Sequence, residues 1–442
     1  MIAKVLSLFR SQKVLSMISS ISGAALGLVT FVLLMRTLSK TDFGIFSIFL
    51  AFQTVFEMLR NGLVGKPLIK FVAESDNEDF SRNIIGSSWR FGLFSSLFVG
   101  CFFTALFLGI YAIYGDNDFL LYSYYFLPLA LFSLPSNMAT WVLNARLRFD
   151  KMIWIRTSMQ VIYITGVAYA YLSDYANLNF IFITYLVASA VPSIISLIAG
   201  WDGLANISAA TKAKSRELYL YGRYTMGTLI GGTLLRSSDD FLIRFFLGPE
   251  AVAIYQIPQR LVNLIDIPLR ALVSFSFPSL ARANKSGSAE NFRREFEIST
   301  GFAFVVLFPA ALGTFIFADS LVVLLGGADY AESAVLLRIF SFFMAFTALD
   351  RYAGVGLDVL DRPKVNMHKV IIMLLINIVG DLLALFIFED IRWVAFVSVL
   401  TFAGGTLFGF RYLKDIIPFR FLKWLNLGLQ ESMRLIKKLV HK

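Results

Sequence analysis

The sequence predicts an all-α polytopic membrane protein of about twelve spanning helices, arranged as two six-helix lobes. Three observations predict it. The 442-residue chain is 57% hydrophobic and only 16% charged, whereas soluble domains carry about 25% charged residues. Apolar runs of about 20 residues, enough to cross a ~30 Å hydrocarbon core as helix, recur along its length. The hairpin Leu33-Leu34-Met35-Arg36-Thr37-Leu38-Ser39-Lys40-Thr41-Asp42-Phe43-Gly44-Ile45-Phe46 also has a counterpart in the second half, Ile243-Arg244-Phe245-Phe246-Leu247-Gly248-Pro249-Glu250-Ala251-Val252-Ala253-Ile254-Tyr255. Each copy ends an apolar run with an Arg, makes a short polar turn, and starts the next run on a small residue and an aromatic.

The first run, 14–36, follows Lys4, Arg10 and Lys13 and so imitates a secretory leader. It is longer than a leader's apolar stretch of about 7–15 residues and reads as a retained first span. The remaining spans are 43–65, 87–114, 119–143, 154–172, 178–200, 217–241, 250–278, 297–318, 332–355, 365–388 and 391–413. Pro128 and Pro135 interrupt the fourth span, and Pro258, Pro268 and Pro278 the eighth. Each proline removes a backbone donor and bends its helix. The three in the eighth span are candidate hinges, or else fix the curvature of the lobe. Adding roughly 209 to a first-half span lands near one in the second half. Because six is even, both halves enter the membrane from the same side. The repeat is therefore parallel, a plan found among secondary transporters.

Loop charge orients the chain. Basic residues follow the even spans: Lys66, Lys70 and Arg82; Arg146, Arg148, Lys151 and Arg156; Lys212, Lys214 and Arg216; Arg282, Lys285, Arg293 and Arg294; Arg362, Lys364 and Lys369. The opposite loops hold few beyond Arg36, Lys40, Arg244 and Arg392. Cytoplasmic loops keep Lys and Arg, so both termini are expected in the cytoplasm. The expected domains are 1–205, 206–415 and a tail of 416–442, with residues 201–216 as the linker between lobes. In the tail, Leu422, Leu425, Leu429, Met433, Ile436 and Val440 form one helical stripe. Lys423, Asn426, Gln430, Arg434, Lys437 and His441 form another. Such a basic amphipathic helix lies on an anionic leaflet or packs on the protein's own cytoplasmic face.

Several chemistries find no residues. The net charge of +10 sits in loops between spans and in the tail, a pattern that argues against nucleic acid. The lone cysteine, Cys101, forms no disulfide framework. Gly62-Leu63-Val64-Gly65-Lys66-Pro67 has the wrong spacing for a phosphate-cradling ATPase loop. The only histidines are His368 and His441, so no His-based metal site or acyl-transfer base is expected.

The first hairpin resembles the opening motif of the polysaccharide (O-antigen-type) flippases of the multidrug/oligosaccharidyl-lipid/polysaccharide exporter superfamily. Asp240-Phe241-Leu242-Ile243, followed by Leu247-Gly248-Pro249-Glu250-Ala251-Val252 and Tyr255, resembles that family's seventh-helix motif. Phe277-Pro278-Ser279-Leu280, Leu360-Asp361-Arg362-Pro363-Lys364 and Asn377 with the run to Phe388 resemble its eighth helix end, tenth loop and eleventh helix. The likeness covers about residues 10 to 413. It implies a MATE-like, V-shaped bundle around a central cavity. It also implies flipping of a polyprenyl-diphosphate-linked oligosaccharide across a bacterial inner membrane for surface polysaccharide synthesis, with a glycan polymerase and other assembly proteins as partners. Room for twelve helices favours the exopolysaccharide, O-antigen or capsule branch, because the peptidoglycan-precursor flippases carry two more. A multidrug or organic-cation antiporter of the same superfamily is the alternative. A glycan polymerase or ligase is a further one, opposed by outer loops too short for a catalytic domain; no enzyme is expected.

Charges at mid-membrane cost about 2.5–3.5 kcal/mol on insertion scales and face an interior or water. Arg236, Arg270 and Arg351 are the deep candidates for gripping a diphosphate, since a guanidinium fork matches phosphate oxygens. Arg60, Arg90 and Arg223 are candidates at the cytoplasmic mouth, or only snorkel to the interface. Asp266 and Arg270, four apart, could instead neutralise each other. Asp239, Asp240 and Asp381 are the candidates for coupling to a proton or Na⁺, the one cofactor-like requirement expected. The first copy of the repeat lacks these charges, and the asymmetry points to the second lobe as the seat of the chemistry.

Overall fold

The computed structural model describes the backbone of residues 12–175, 177–418 and 420–440, and side chains from residue 23 onward except those of 24, 176, 228, 236, 345, 419, 435, 436 and 438–442. Among the described residues the regular structure is helical throughout. In chain order the helices are α1 (Gln12–Thr37), α2 (Lys40–Arg60), α3 (Lys66–Ala73), α4 (Glu78–Tyr114), α5 (Asn117–Phe132), α6 (Leu134–Ala145), α7 (Phe149–Leu172), α8 (Leu178–Ile198), α9 (Lys212–Leu247), α10 (Pro249–Lys285), α11 (Ala289–Ile316), α12 (Ala318–Gly326), α13 (Ser333–Val359), α14 (Pro363–Phe388), α15 (Ile391–Leu413) and α16 (Phe421–Val440). A π turn, Asn61–Gly65, joins α2 to α3 in one continuous helix.

Every span expected from the apolar runs coincides with a long helix except the fourth, 119–143, which α5 and α6 share across a break at Ser133. Among the described residues, nine helices are long and apolar enough to cross a membrane. Of the others, α9 is diluted by Gly, Thr and Ser around Arg223, Asp239, Asp240 and Arg244. In α7, polar Gln160 turns inward, its Nε2 donating to the Gly23 carbonyl of α1 at 3.1 Å. Helix starts follow the local sequence. Ser39, Asn77, Asp116, Asn177, Ser288 and Asp390 each accept a backbone N–H of the first turn, satisfying donors that the helix leaves orphaned.

By packing, the chain forms two compact units, Met1–Leu234 and Leu235–Lys442. In the first, Phe46, Phe49, Tyr122, Phe126 and Phe182 build an aromatic core, with the Phe49 and Phe182 rings 4.7 Å apart edge to face. The first half of α9 belongs to this unit because it crosses the π turn at backbone contact. A Cβ on Gly62 would lie 2.4 Å from Met226 Cα, and one on Gly222 would lie 2.5 Å from the Leu63 carbonyl oxygen. The Thr225 hydroxyl donates to the Gly62 carbonyl at 2.7 Å. The 201–216 linker is folded onto α4: Trp89 Nε1 donates to the Asp202 carbonyl at 2.8 Å and the Thr211 N–H donates to Ser87 Oγ at 3.0 Å.

In the second unit, Leu269, Phe296, Tyr352, Phe410 and Trp424 share one core. Trp424 comes from the tail helix, so α16 packs on the protein's own face. Gly301 of α11 and Gly428 of α16 meet backbone to backbone: a Cβ on Gly301 would lie 1.9 Å from the Trp424 carbonyl oxygen. Lys423 Nζ closes the contact on Glu297 at 2.7 Å.

Candidate functional site

The second unit gathers the three acids predicted for ion coupling into one buried cluster. Asp239 and Asp240 come from α9, and Asp381 comes from α14. Tyr255 Oη of α10 donates to Asp239 Oδ2 at 2.6 Å, and Ser398 Oγ of α15 donates to the same oxygen at 3.2 Å. Gln256 Nε2 donates to Asp240 Oδ2 at 3.1 Å. Asn377 Nδ2 donates to Asp381 Oδ2 at 3.1 Å, while its own Oδ1 accepts from Ser238 Oγ at 2.9 Å. Asp239 and Asp381 lie close enough to interact electrostatically. The described donors to these acids are all neutral hydroxyls and amides. The Oδ1 atom of each acid is buried without a hydrogen-bond partner. Several carboxylates confined together out of water cannot all stay charged without compensation. One oxygen on each acid is therefore left without a described donor, although among the described residues no three acids are grouped closely enough to ligate a metal ion.

A second group lies on α10 and α13. Asp266 is buried and shared by two arginines: Arg270 Nε donates to Oδ2 at 2.7 Å and an Arg351 guanidinium nitrogen donates to Oδ1 at 3.0 Å. The pairing of Asp266 with Arg270 expected from their spacing is therefore present, extended by Arg351. Asp350 does not compete for Arg351, because Lys369 Nζ holds it at 2.7 Å. The Arg270 and Arg351 side chains remain 60% and 38% exposed. Among the described contacts one carboxylate faces two part-exposed guanidiniums, an arrangement suited to phosphate oxygens.

The first unit treats its deep arginine differently. Arg60 is 2% exposed. Its guanidinium donates to the Ala130 carbonyl at 2.7 Å and to Ser133 Oγ at 2.8 Å, and pairs with Glu57. Asn137 Nδ2 binds the other Glu57 oxygen at 2.9 Å. Ala130 and Ser133 sit where α5 breaks before Pro135, which supplies no N–H. Arg60 thus caps one carbonyl of a broken helix, that of Ala130. Arg90 and Arg223 are exposed on the same unit, and Arg223 donates to Tyr224 Oη at 2.9 Å. The side chain of Arg236 lies outside the described residues. Helix α10 runs unbroken through Pro258, Pro268 and Pro278. The carbonyl freed by Pro258, that of Ile254, accepts from Ser333 Oγ at 2.9 Å, which ties this turn of α10 to α13.

Residues 11–284 match the polysaccharide biosynthesis protein family. The chain belongs to that family. It is a multi-pass membrane protein. The protein named "Probable low-salt glycan biosynthesis flippase Agl15" of Haloferax volcanii is 23% identical over 238 residues, covering 52% of this chain and 50% of that one. The chain thus matches about half the length of this curated relative. An inward-facing multidrug resistance MATE transporter of the MOP superfamily superposes with a TM-score of 0.75 at 12% identity, covering 89% of this chain and 95% of that chain. Lipid II flippase MurJ, in an inward closed conformation, gives 0.72 at 14% identity, covering 97% and 93%. These likenesses establish the all-α polytopic fold.

Within this family member, sequence reasoning did not find Tyr255, Gln256 or Ser398 as parts of the acidic cluster. A single Ser in the apolar run of α15 carries no signal of its own. Tyr255 is visible in the sequence as the aromatic that opens a repeat and as the end of the seventh-helix motif, neither of which points to Asp239. The nearest clue was the i, i+4 pair of Asn377 and Asp381, which places two polar groups on one helix face.

Proposed function

We propose that the protein flips a polyprenyl-diphosphate-linked oligosaccharide from the cytoplasmic to the outer leaflet by alternating access, supplying surface polysaccharide synthesis. The observation that carries this reading is the Arg270–Asp266–Arg351 group: two half-exposed guanidiniums within spanning helices, sharing one carboxylate. Exposed arginines at such a depth require water rather than lipid around them, and their chemistry selects a phosphate-bearing cargo over an organic cation. The acids Asp239, Asp240 and Asp381 couple the cycle to a proton or Na⁺. Basic loops face the cytoplasm of the host's inner membrane, and the polymerase and other assembly proteins act on the flipped product.

The test is transport in reconstituted vesicles. Lipid-linked oligosaccharide placed in one leaflet should become accessible to an added glycosidase on the other side only with the protein present, and Arg351→Gln or Arg270→Gln should slow this at least tenfold. Wild-type rates in both variants would remove the arginines from the mechanism. Deleting the gene in the host should trap lipid-linked repeat units on the cytoplasmic side; unchanged surface glycan in a strain without a paralogue would end the flippase reading.

A further inference from the structure

The tail helix α16 presents three distinct faces. With Trp424 set at zero, a rotation of about 100° per residue places Gly428 at ~40°, Leu429, Leu422 and Met433 at ~140–180°, and Lys437, Lys423 and Arg434 at ~220–280°. The first face is the one docked on α11 through Trp424 and Gly428. The second is apolar and uncovered: Leu422 is 81%, Leu429 49% and Met433 54% exposed. The third is basic. Lys423 reaches Glu297 at 2.7 Å, Arg434 lies 3.5 Å from Glu431 and Lys437 is exposed. Of the predicted stripe, Leu422, Leu429 and Met433 therefore do not hold the helix to the protein, Leu425 is half-buried, and the side chains of Ile436 and Val440 lie outside the described residues.

We infer that α16 is an interfacial helix whose apolar strip enters an anionic leaflet while its basic strip holds the lipid phosphates. Three observations select a bilayer as the occupant of the open face. The docked, apolar and basic faces succeed one another around the helix in the order needed by a rod lying beside a bundle, with hydrocarbon beneath and headgroups above. Between Arg420 and Val440 there are five Lys and Arg against the single Glu431, a charge complementary to anionic lipid. The connector from the spanning helix α15, residues 414–420, extends at most ~3.5 Å per residue, so α16 cannot leave the surface zone.

The test uses the full chain in a Cys101→Ser background with one reporter thiol, at Met433→Cys or Lys437→Cys, carrying an environment-sensitive fluorophore. The proteins are reconstituted into vesicles of phosphatidylcholine alone or mixed with phosphatidylglycerol. The label at 433 should be quenched several-fold more by nitroxide lipid than by aqueous iodide, and the label at 437 the reverse. Leu429→Cys serves as a second reporter should the first variant fold poorly. Adding Arg434→Glu to Met433→Cys should lower lipid quenching several-fold in the anionic vesicles and leave it unchanged in neutral ones. Iodide quenching at 433 would show the strip facing water. Shielding from both quenchers would show it covered by protein, such as a second copy. Either result overturns the inference, and equal lipid quenching in the two vesicle types overturns its anionic part.

Discussion

Asp266→Asn should destabilise the protein while strengthening its hold on a diphosphate. The substitution removes the carboxylate that accepts from both Arg270 and Arg351. Each lost charge-assisted hydrogen bond is worth about 1.5–3 kcal/mol when buried. With the two arginine side chains 60% and 38% exposed, screening reduces the combined cost to about 2 kcal/mol. The same change removes a repelling charge beside the bound phosphates. At ~7 Å, one unit of phosphate charge meets a carboxylate with ~0.6 kcal/mol in a water-like medium and ~2.4 kcal/mol at an effective dielectric of about 20. Binding should therefore tighten by about tenfold. Arg351→Gln should do the reverse, weakening binding by about tenfold. Farnesyl diphosphate is a suitable probe, titrated calorimetrically into the purified full chain, with thermal unfolding followed in parallel. If Asp266→Asn weakens diphosphate binding as much as Arg351→Gln does, the group serves only the fold, and the phosphate argument fails.

Three other outcomes are expected. Saturating Na⁺, at 100 times its Kd, should stabilise the wild type by about 2.7 kcal/mol; a thermal-shift series in Na⁺ against K⁺ should show this lost in Asp239→Asn and Asp381→Asn, and a proton-only site would show no Na⁺ response at any pH. Arg60→Met strands Glu57 beside the broken helix and should cost about 3 kcal/mol in denaturant unfolding, whereas Arg60→Met with Glu57→Gln should recover part of it; equal losses would mean that the pair is not coupled. Gly301→Leu places side-chain atoms where the Trp424 carbonyl oxygen lies 1.9 Å from the first of them, so α16 must lift away and its amides should exchange at least tenfold faster. Unchanged protection of residues 421–434 would contradict the packing described for the tail.

The helices were legible because apolar length and loop charge are properties of single segments. The acids Asp239, Asp240 and Asp381 were legible for a related reason: a carboxyl in a spanning run is expensive and must have a use. Their convergence was not, since it depends on how α9, α14 and α15 meet, and Ser398 resembles any other small residue of its run. Arg60 shows the opposite limit. Its cost marks it as a mouth candidate or a snorkelling residue, yet besides Glu57 it grips the Ala130 carbonyl at a helix break, which periodicity does not reveal. The tail shows a third. The Leu stripe was the strongest amphipathic signal, but α16 docks through Gly428, a residue whose contribution is the absence of a side chain.

The acidic cluster also sets an order of assembly. When α9 first meets the membrane it brings Asp239 and Asp240, each costing about 2.5–3.5 kcal/mol at mid-membrane. Two groups that satisfy this stretch of α9, Asn377 with Ser238 and Ser398 with Asp239, are 139 and 159 residues further along the chain. Asp266, by contrast, carries a partner four residues away in Arg270. During synthesis α10 can therefore settle with Asp266 already paired and can offer Tyr255 and Gln256 to Asp239 and Asp240, whereas the remaining partners of α9 arrive only when α14 and α15 emerge. Nascent chains stopped before α15 should leave α9 loosely held, and the second unit should become resistant to quality-control proteolysis only when its last spanning helix is in place.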